Sequence, residues 1–185
     1  MAVCVELIER DGANALSMRR VAAELGAAPM SLYNHVPNKA ALLDAVAEHI
    51  MSGVGLETDT DLSPDTDWCD QARELARSFR TVARRYPRSV LMVITRQPSG
   101  SVGLRPVELA LGAVRRAGFD DQTSVRLVRT FVSFIIGSIL HEPAHTNVRA
   151  VLPMLVEHDH EGDFEFGLEL LIGAMQALRN TGRKG

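Results

Sequence analysis

The sequence predicts an all-α protein of about nine helices, in which a short three-helix unit at the N-terminus precedes a larger helical domain. Aromatic residues make up only 5% of the 185 residues, helix-forming residues recur throughout, and no segment alternates apolar and polar residues as a strand does. With 46% hydrophobic residues, the chain has the material for a real core. We expect two domains, covering residues 1–50 and 51–185.

Capping and turn residues divide the first 50 residues. A first helix is already under way at residue 1, and Gly12 ends it. Ser17 and Asn38 can cap the second and fourth helices, and Pro29 suits the first turn of the third, which we expect to extend to about residue 36. The apolar residues expected to form the shared core are Val21, Leu25, Leu32 and Val36.

The rest of the chain predicts five further helices after a loop at 52–67. Their expected ranges are 68–86, 89–95, 104–117, 120 or 121 to 140, and 164–178. The last helix has an unusually broad apolar face. It therefore buries against a second subunit or against the core of its own chain.

The N-terminal helices have the spacing of a helix-turn-helix, in which small Ala22 allows a close crossing and Gly26 makes the turn. Such a unit presents its second helix to the DNA major groove, although a helical hairpin within a core has the same spacing. We expect base edges to meet the start of that helix, and phosphates to meet Ser17, Tyr33, His35 and Lys39. The full set of candidate DNA-contacting residues is Ser17, Arg19, Pro29, Met30, Ser31, Tyr33, Asn34, His35 and Lys39.

A longer pattern distinguishes the two interpretations. The run Leu32-Tyr33-Asn34-His35-Val36-Pro37-Asn38-Lys39, followed by Leu42-Leu43, resembles the DNA-binding domain of TetR-family regulators, in the tetracycline-repressor-like subgroup. The resemblance implies a ligand-responsive transcription regulator, a repressor released from a palindromic operator by a small apolar molecule. It implies neither an enzyme nor a cofactor.

The resemblance extends to the C-terminal half. The runs 134–140 and 164–170 look like two long helices that, in this family, form a four-helix bundle between two subunits. A homodimer is therefore expected. The candidate interface residues are Phe134, Gly137, Phe164, Gly167, Leu168, Leu171 and Met175.

An effector pocket is expected among the helices of the second domain. Thr95-Arg96 resembles a pair from the family's drug site, but Met92 occupies the position of the expected metal-binding histidine, so a magnesium–tetracycline ligand is not expected. A mostly apolar small molecule is expected instead. The candidate pocket residues are Phe79, Met92, Thr95, Phe131, Phe134 and His141.

The charge balance departs from the family pattern. The net charge is −3, and residues 1–50 hold four Lys or Arg against six acidic residues. The family usually begins with a longer first helix and a short basic arm, so we expect the native start to lie further upstream. This departure concerns DNA affinity rather than fold.

A second motif offers an alternative function. His141-Glu142-Pro143-Ala144-His145 has the H-E-x-x-H spacing of zinc peptidases, and it suggests a metal-binding helical enzyme using His141, Glu142 and His145. The mechanism needs both histidines on one face of an unbroken helix, which Pro143 opposes. We therefore expect neither a peptidase nor a bound metal.

The expected compartment is the cytoplasm. The two cysteines do not make a disulfide framework, no signal peptide is recognised, and no apolar run reaches the roughly 18 residues of a membrane span.

Overall fold

Helices account for all the regular structure in the described part of the chain. The computed structural model describes residues 1–55, 66–96, 104–141 and 159–182. Within these ranges there are nine α-helices, one short 3-10 helix (Ala13–Ala15) and no strand, which confirms the all-α prediction. The α-helices are α1 (Ala2–Asp11), α2 (Met18–Glu24), α3 (Pro29–Tyr33), α4 (Lys39–Ser52), α5 (Trp68–Arg85), α6 (Pro87–Thr95), α7 (Arg105–Arg116), α8 (Asp121–His141) and α9 (His160–Gly182).

Capping residues begin three helices where the sequence predicts them. The side chains of Ser17, Asn38 and Asp120 each accept a hydrogen bond from the backbone N–H three residues further on, at 3.3, 2.9 and 2.9 Å. Asp120 rather than Asp121 is thus the cap of α8. The turn after α2 has Gly26 at a φ of +63°, a conformation that glycine adopts without steric cost.

The third helix is shorter than predicted. It ends at Tyr33 rather than near residue 36, because two of the following N–H groups donate to the same carbonyl oxygen. The N–H groups of His35 and Val36 both donate to Leu32 O, at 3.0 and 2.9 Å. The chain thereby turns directly towards the cap of α4.

The prediction that Leu25 belongs to the core of the N-terminal unit is wrong. Leu25 is 52% exposed, because it is the C-cap residue of α2 and stands at the turn made by Gly26. Val21 is buried as predicted, whereas Leu32 and Val36 are half-buried. The buried interior of the described N-terminal helices comes mainly from α1 and α4, through residues such as Ile8, Leu42 and Val46.

The chain forms two units that divide within α5. The first comprises Met1–Asp59 with Thr81–Pro106, and the second comprises Thr60–Arg80 with Val107–Gly185. Helix α6 therefore groups with the N-terminal helices. The assignment of separate functions to residues 1–50 and 51–185 remains a prediction.

Both ends of α6 are bonded to other helices of the first unit. At its start, the Glu9 carboxylate accepts hydrogen bonds from the N–H groups of Arg88 and Ser89, at 3.2 and 2.8 Å. These amides have no partner within α6, so Glu9 acts as a cap supplied by α1. Just beyond its end, Arg96 Nη1 lies 2.7 Å from Asp44 Oδ1 of α4.

The core of the second unit joins α5, α7, α8 and α9. Trp68, Phe131, Phe164 and Leu168 are among its buried members. Trp68 packs edge-on against Phe119, with ring centroids 5.9 Å apart. This arrangement is one that aromatic pairs prefer.

Ion pairs also connect α5 to α9. Three arginines of α5 face three glutamates of α9: Arg73 with Glu169 at 2.6 Å, Arg77 with Glu165 at 2.7 Å, and Arg80 with Glu161 at 2.8 Å. Arg80 is buried, its guanidinium lies 4.5 Å from the centre of the Phe164 ring, and its Nη2 donates to His160 O at 2.6 Å. Arg80 thus contacts the beginning of α9 through an ion pair, a hydrogen bond to the backbone and the face of an aromatic ring.

Helix α8 contains a longer apolar segment than the sequence analysis predicts. By length and composition alone, Asp121–Leu140 could cross a membrane, with a mean hydropathy of 1.5. The expectation that no apolar run is long enough to span a membrane is therefore wrong for α8. A membrane span can contain two charged residues, here Arg126 and Arg129. The core helix of a globular unit passes the same test, and α8 contributes buried Val128, Phe131 and Ile135 to its unit's core.

Candidate nucleic-acid interface

The first unit contains a helix-turn-helix in α2, its turn and α3. Ala22 is fully buried, which agrees with the small residue expected at the helix crossing. The N–H of Ala27 donates to Ala22 O at 2.9 Å, and Gly26 lies between them at positive φ. This turn brings the chain to Pro29, whose missing N–H is not required at the first position of α3.

Helix α3 is open to solvent. None of its side chains is buried, and Met30 and Tyr33 are 74% and 46% exposed. The other exposed residues among the DNA-contact candidates are Ser17, Arg19, Pro29, Ser31, Asn34 and His35. All of them are therefore accessible to a partner, although the role of each remains a prediction.

Lys39 differs from the other candidates. It is half-buried at the first position of α4, and its Nζ donates to Asn14 O at 3.3 Å. Part of its hydrogen-bonding capacity is therefore used to hold the loop before α2. The two remaining donors of the ammonium can serve a phosphate.

Two of the four basic residues in the first 50 are engaged with acidic neighbours. Arg10 Nη2 lies 2.6 Å from Glu24 Oε1, and Asp11 pairs with both Arg10 and Arg20. The hydrogen bond from Arg10 lowers the pKa of Asp11 below its ordinary value. Arg19, in contrast, is exposed and makes no ion pair within the described residues. Arg19 and Lys39 are therefore the cations of this segment best placed to meet a DNA backbone.

The predicted pocket residues lie in both units. Met92 is buried in the first unit, where Thr95 is exposed and donates its hydroxyl to Leu91 O at 2.7 Å. In the second unit Phe131 is buried, whereas Phe79 and Phe134 are half-buried against the same core. His141 is the last residue of α8. Their assembly into one effector pocket remains a prediction.

The second unit also contains a small apolar cavity. Its volume is about 20 Å³, and its lining includes Trp68, Leu75, Val128, Phe131 and Met175. A space of this size accommodates about one water-sized molecule. Of the residues predicted for the pocket, Phe131 lines it.

The residues predicted for the dimer interface differ in burial. Phe164, Leu168 and Met175 are buried in the core of their own unit, so they do not supply an exposed surface. Phe134 stacks on Phe164 with ring centroids 5.7 Å apart, and it also packs closely against Gly167. Leu171 and Gly137 are half-buried. The core of the chain's own unit accounts for the burial of these residues, and the assignment of the dimer interface remains a prediction.

Another side of α9 carries apolar residues in the open. Phe166 and Leu170 are 72% and 66% exposed, and Leu178 is also exposed. Small residues lie between them on the same helix, Gly173, Ala174 and Ala177, and all three are exposed. The spacing of 166, 170, 174 and 177 is the signal that could have identified this face, because it repeats every three or four residues.

The H-E-x-x-H motif lies almost wholly outside the described residues, which include only His141 from it. Among the residues that the structure describes, no group of three His, Cys, Asp or Glu side chains could hold a metal ion. The thiols of Cys4 and Cys69 are both buried and free, and burial raises the pKa of Cys69 to about 11. Neither is therefore a reactive thiolate at neutral pH.

Comparisons with known proteins agree with this geometry. The chain is 31% identical to the HTH-type transcriptional repressor DrrR1 of Streptomyces coeruleorubidus over 134 residues, which are 72% of this chain and 48% of that protein. A possible TetR family transcriptional regulator of Streptomyces coelicolor A3(2) superposes with a TM-score of 0.75 at 26% identity, covering 96% of this chain and 97% of that one. The TetR family protein ActR of Streptomyces coelicolor, in complex with actinorhodin, gives a TM-score of 0.73 at 25% identity, covering 96% and 95%.

Two family models match successive parts of the chain. Residues 1–46 match the model described as "Bacterial regulatory proteins, tetR family", and residues 61–151 match "Tetracyclin repressor-like, C-terminal domain". The first match contains α2, its turn and α3, and the second contains the core helices α5, α7 and α8. The chain therefore belongs to the tetR family of bacterial regulatory proteins.

Proposed function

We propose that this chain is a ligand-responsive transcriptional repressor that binds a palindromic operator as a homodimer. The observation that carries the proposal is the exposed helix α3, presented by a glycine turn after α2 and followed by the Asn38 cap of α4. In a helix-turn-helix this arrangement places the start of the second helix against base edges in the major groove. The family to which the chain belongs supports this use of the surface.

The charges of the first unit support a DNA contact through few phosphates. Arg19 and Lys39 are the best-placed cations of the first 50 residues, whereas Arg10 and Arg20 are engaged with acidic neighbours. Each neutralised phosphate adds about 0.9 to the slope of log affinity against log salt concentration. Because affinity falls as salt rises and each subunit would neutralise about two phosphates, we expect a slope of about −3.6 for a dimer.

The proposal that this chain represses transcription and is released by a ligand is supported by similar proteins. DrrR1 is a transcriptional repressor by name, and ActR has been crystallised with actinorhodin. For this chain, the aromatic and apolar character of Phe79, Met92, Phe131 and Phe134 supports a mostly apolar effector. Such a molecule would release DNA by binding more tightly to a conformation that fits the operator poorly. A regulator of bacterial DNA acts in the cytoplasm, and no catalytic step is assigned to it.

A gel-shift assay with DNA from around the protein's own promoter tests the proposal. Tyr33→Ala and Lys39→Ala should each weaken sequence-specific retention strongly, because both residues lie at the proposed backbone contact. Leu91→Ala serves as the control, since Leu91 is an exposed side chain of α6, outside the helix-turn-helix. Circular dichroism verifies that each variant is folded. Retention of both variants at the affinity of the unaltered protein would contradict the proposal.

A further inference from the structure

The start of α3 carries an apolar side chain fully in the open. Met30 is 74% exposed, more than any other large apolar side chain among the described residues. It follows Pro29 directly, at the second position of the helix. In a helix-turn-helix these first residues of the second helix are the ones that reach base edges.

The neighbours of Met30 offer little hydrogen bonding to a base. Ala28 and Pro29 have no polar side-chain atom, so Ser31 is the first hydroxyl of the helix. Asn34, whose amide could pair with adenine, is the C-cap residue at the far end of α3. Arg19, which could pair with guanine, belongs to α2. The start of α3 therefore lacks the bidentate donors that read purines.

One base-edge feature in the major groove is recognised without a hydrogen bond. Thymine presents a 5-methyl group there, and apolar side chains recognise it by contact. The thioether chain of methionine is long, unbranched and adaptable, which suits contact with a small methyl group. Its present exposure means that such a contact removes apolar surface from water on both partners.

We propose that Met30 is a specificity-determining residue of this chain, and that it recognises the 5-methyl group of a thymine in each operator half-site. The inference rests on the proposed DNA-binding function and specifies how the start of α3 reads sequence. Base discrimination by the helix-turn-helix then depends on apolar contact at Met30 and on hydrogen bonds at Ser31, Asn34 and Arg19. Each half-site should therefore contain a thymine whose methyl group, rather than its base pair, is required.

The test replaces thymine by uracil, which pairs identically but lacks the methyl group. A tight-binding duplex is first selected from a randomised library with the whole chain, and each thymine is then replaced, one symmetric pair at a time. At one pair of positions the unaltered protein should bind about fourfold more weakly per half-site, the equivalent of about 0.8 kcal/mol for one methyl group. Met30→Ala should bind the thymine and uracil duplexes equally.

Two control variants make the test specific. Met30→Leu keeps an apolar side chain of similar size and should retain the preference for thymine. Leu91→Ala truncates another exposed apolar side chain of the same unit and should also retain it. Circular dichroism establishes that Met30→Ala is folded.

The outcomes separate this inference from the proposed function. If the protein selects a duplex but tolerates uracil at every position, the inference is overturned while the function stands. If Met30→Ala still prefers thymine, another residue reads the methyl group and the inference is again overturned. If no duplex is selected, the proposed function fails, and the inference fails with it.

Discussion

At the residue scale, Phe134 of α8 packs closely against Gly167 of α9. A Cβ atom added to Gly167 would lie 2.6 Å from Phe134 Cε2 and 2.8 Å from Cζ. The Phe134 ring has little room to move away, because its other contacts include the stacked ring of Phe164. The absence of a side chain at Gly167 therefore allows α8 and α9 to approach.

Gly167→Ala is accordingly expected to lower the free energy of unfolding by about 1–2 kcal/mol. Overpacking a core typically costs about 1–3 kcal/mol, and the better helix propensity of alanine offsets up to about 1 kcal/mol of it. Urea denaturation measures the change. Ser133→Ala is the control, since Ser133 is an exposed residue of α8 and its replacement by the better helix former alanine should leave stability unchanged or raise it. Equal behaviour of the two variants would contradict this packing.

Residue-level predictions from the sequence succeeded where the cause is local. The caps at Ser17, Asn38 and Asp120 depend on a side chain and an amide three residues away, so the sequence contains all that is needed. The exposure of Leu25 and of Phe166 depends instead on which other helices lie nearby. An apolar residue type alone does not determine that, because much of a protein's surface is also apolar.

At the element scale, one side of α9 forms ion pairs with α5. Its glutamates 161, 165 and 169 recur every four residues and meet the arginines of α5. Hydrogen bonds from Arg77 and Arg73 lower the pKa values of Glu165 and Glu169 below their ordinary range. These contacts match the rotation of α9 that buries Phe164 and Leu168, and a turn of the helix would separate every pair at once.

A lowered pKa in the folded protein gives a defined dependence on pH. The stabilisation from Glu165 is fully present above the ordinary glutamate pKa of about 4.3, and it is lost as the pH falls through the lower, folded-state value. Glu165→Gln should therefore be less stable than the unaltered protein at pH 7, and the difference should shrink towards pH 3. Each exposed pair contributes at most about 1 kcal/mol.

Urea denaturation between pH 7 and pH 3 measures this difference. Glu108→Gln is the control, because Glu108 is an exposed residue of α7 for which the described residues contain no ion pair. A constant difference between Glu165→Gln and the unaltered protein across this range would contradict the role of the carboxylate charge.

The sequence predicted this element only in part. Periodicity identified a long helix with a broad apolar face, and the structure gives one from His160 to Gly182. It did not show which apolar residues face the chain's own core, because both sides of the helix satisfy a helical repeat. The arginine partners that accompany this orientation lie 88 to 96 residues away in sequence, and single-sequence patterns do not reveal such distant pairs.

At the scale of the whole molecule, the exposed face of α9 supports assembly into the proposed homodimer. Phe166 and Leu170 offer apolar surface, and the small residues between Leu170 and Leu178 allow a second helix to approach closely. A twofold interface uses the same patch on both subunits, so one helix face can serve both. The family's C-terminal bundle, inferred from the sequence resemblance, uses its last helices in this way.

Phe166→Asp should therefore convert the protein towards monomer, because a charge in the centre of an apolar interface is buried without a partner. Sedimentation velocity over a range of concentrations measures the change in mass. Leu91→Asp, at an apolar position of the first unit that is 45% exposed, should keep the mass of the unaltered protein. An unchanged mass for Phe166→Asp, or an equal loss in Leu91→Asp, would place the interface elsewhere.

Hydroxyl-radical footprinting of the whole chain on its own promoter DNA tests the central claim most directly. Two helix-turn-helix units related by a twofold axis should protect two patches on one face of the duplex, centred about 34–36 Å apart or at a multiple of that distance. Tyr33→Ala should remove both patches together. A single patch, protection spread evenly along the fragment, or no protection at any protein concentration would contradict operator binding through paired α3 helices.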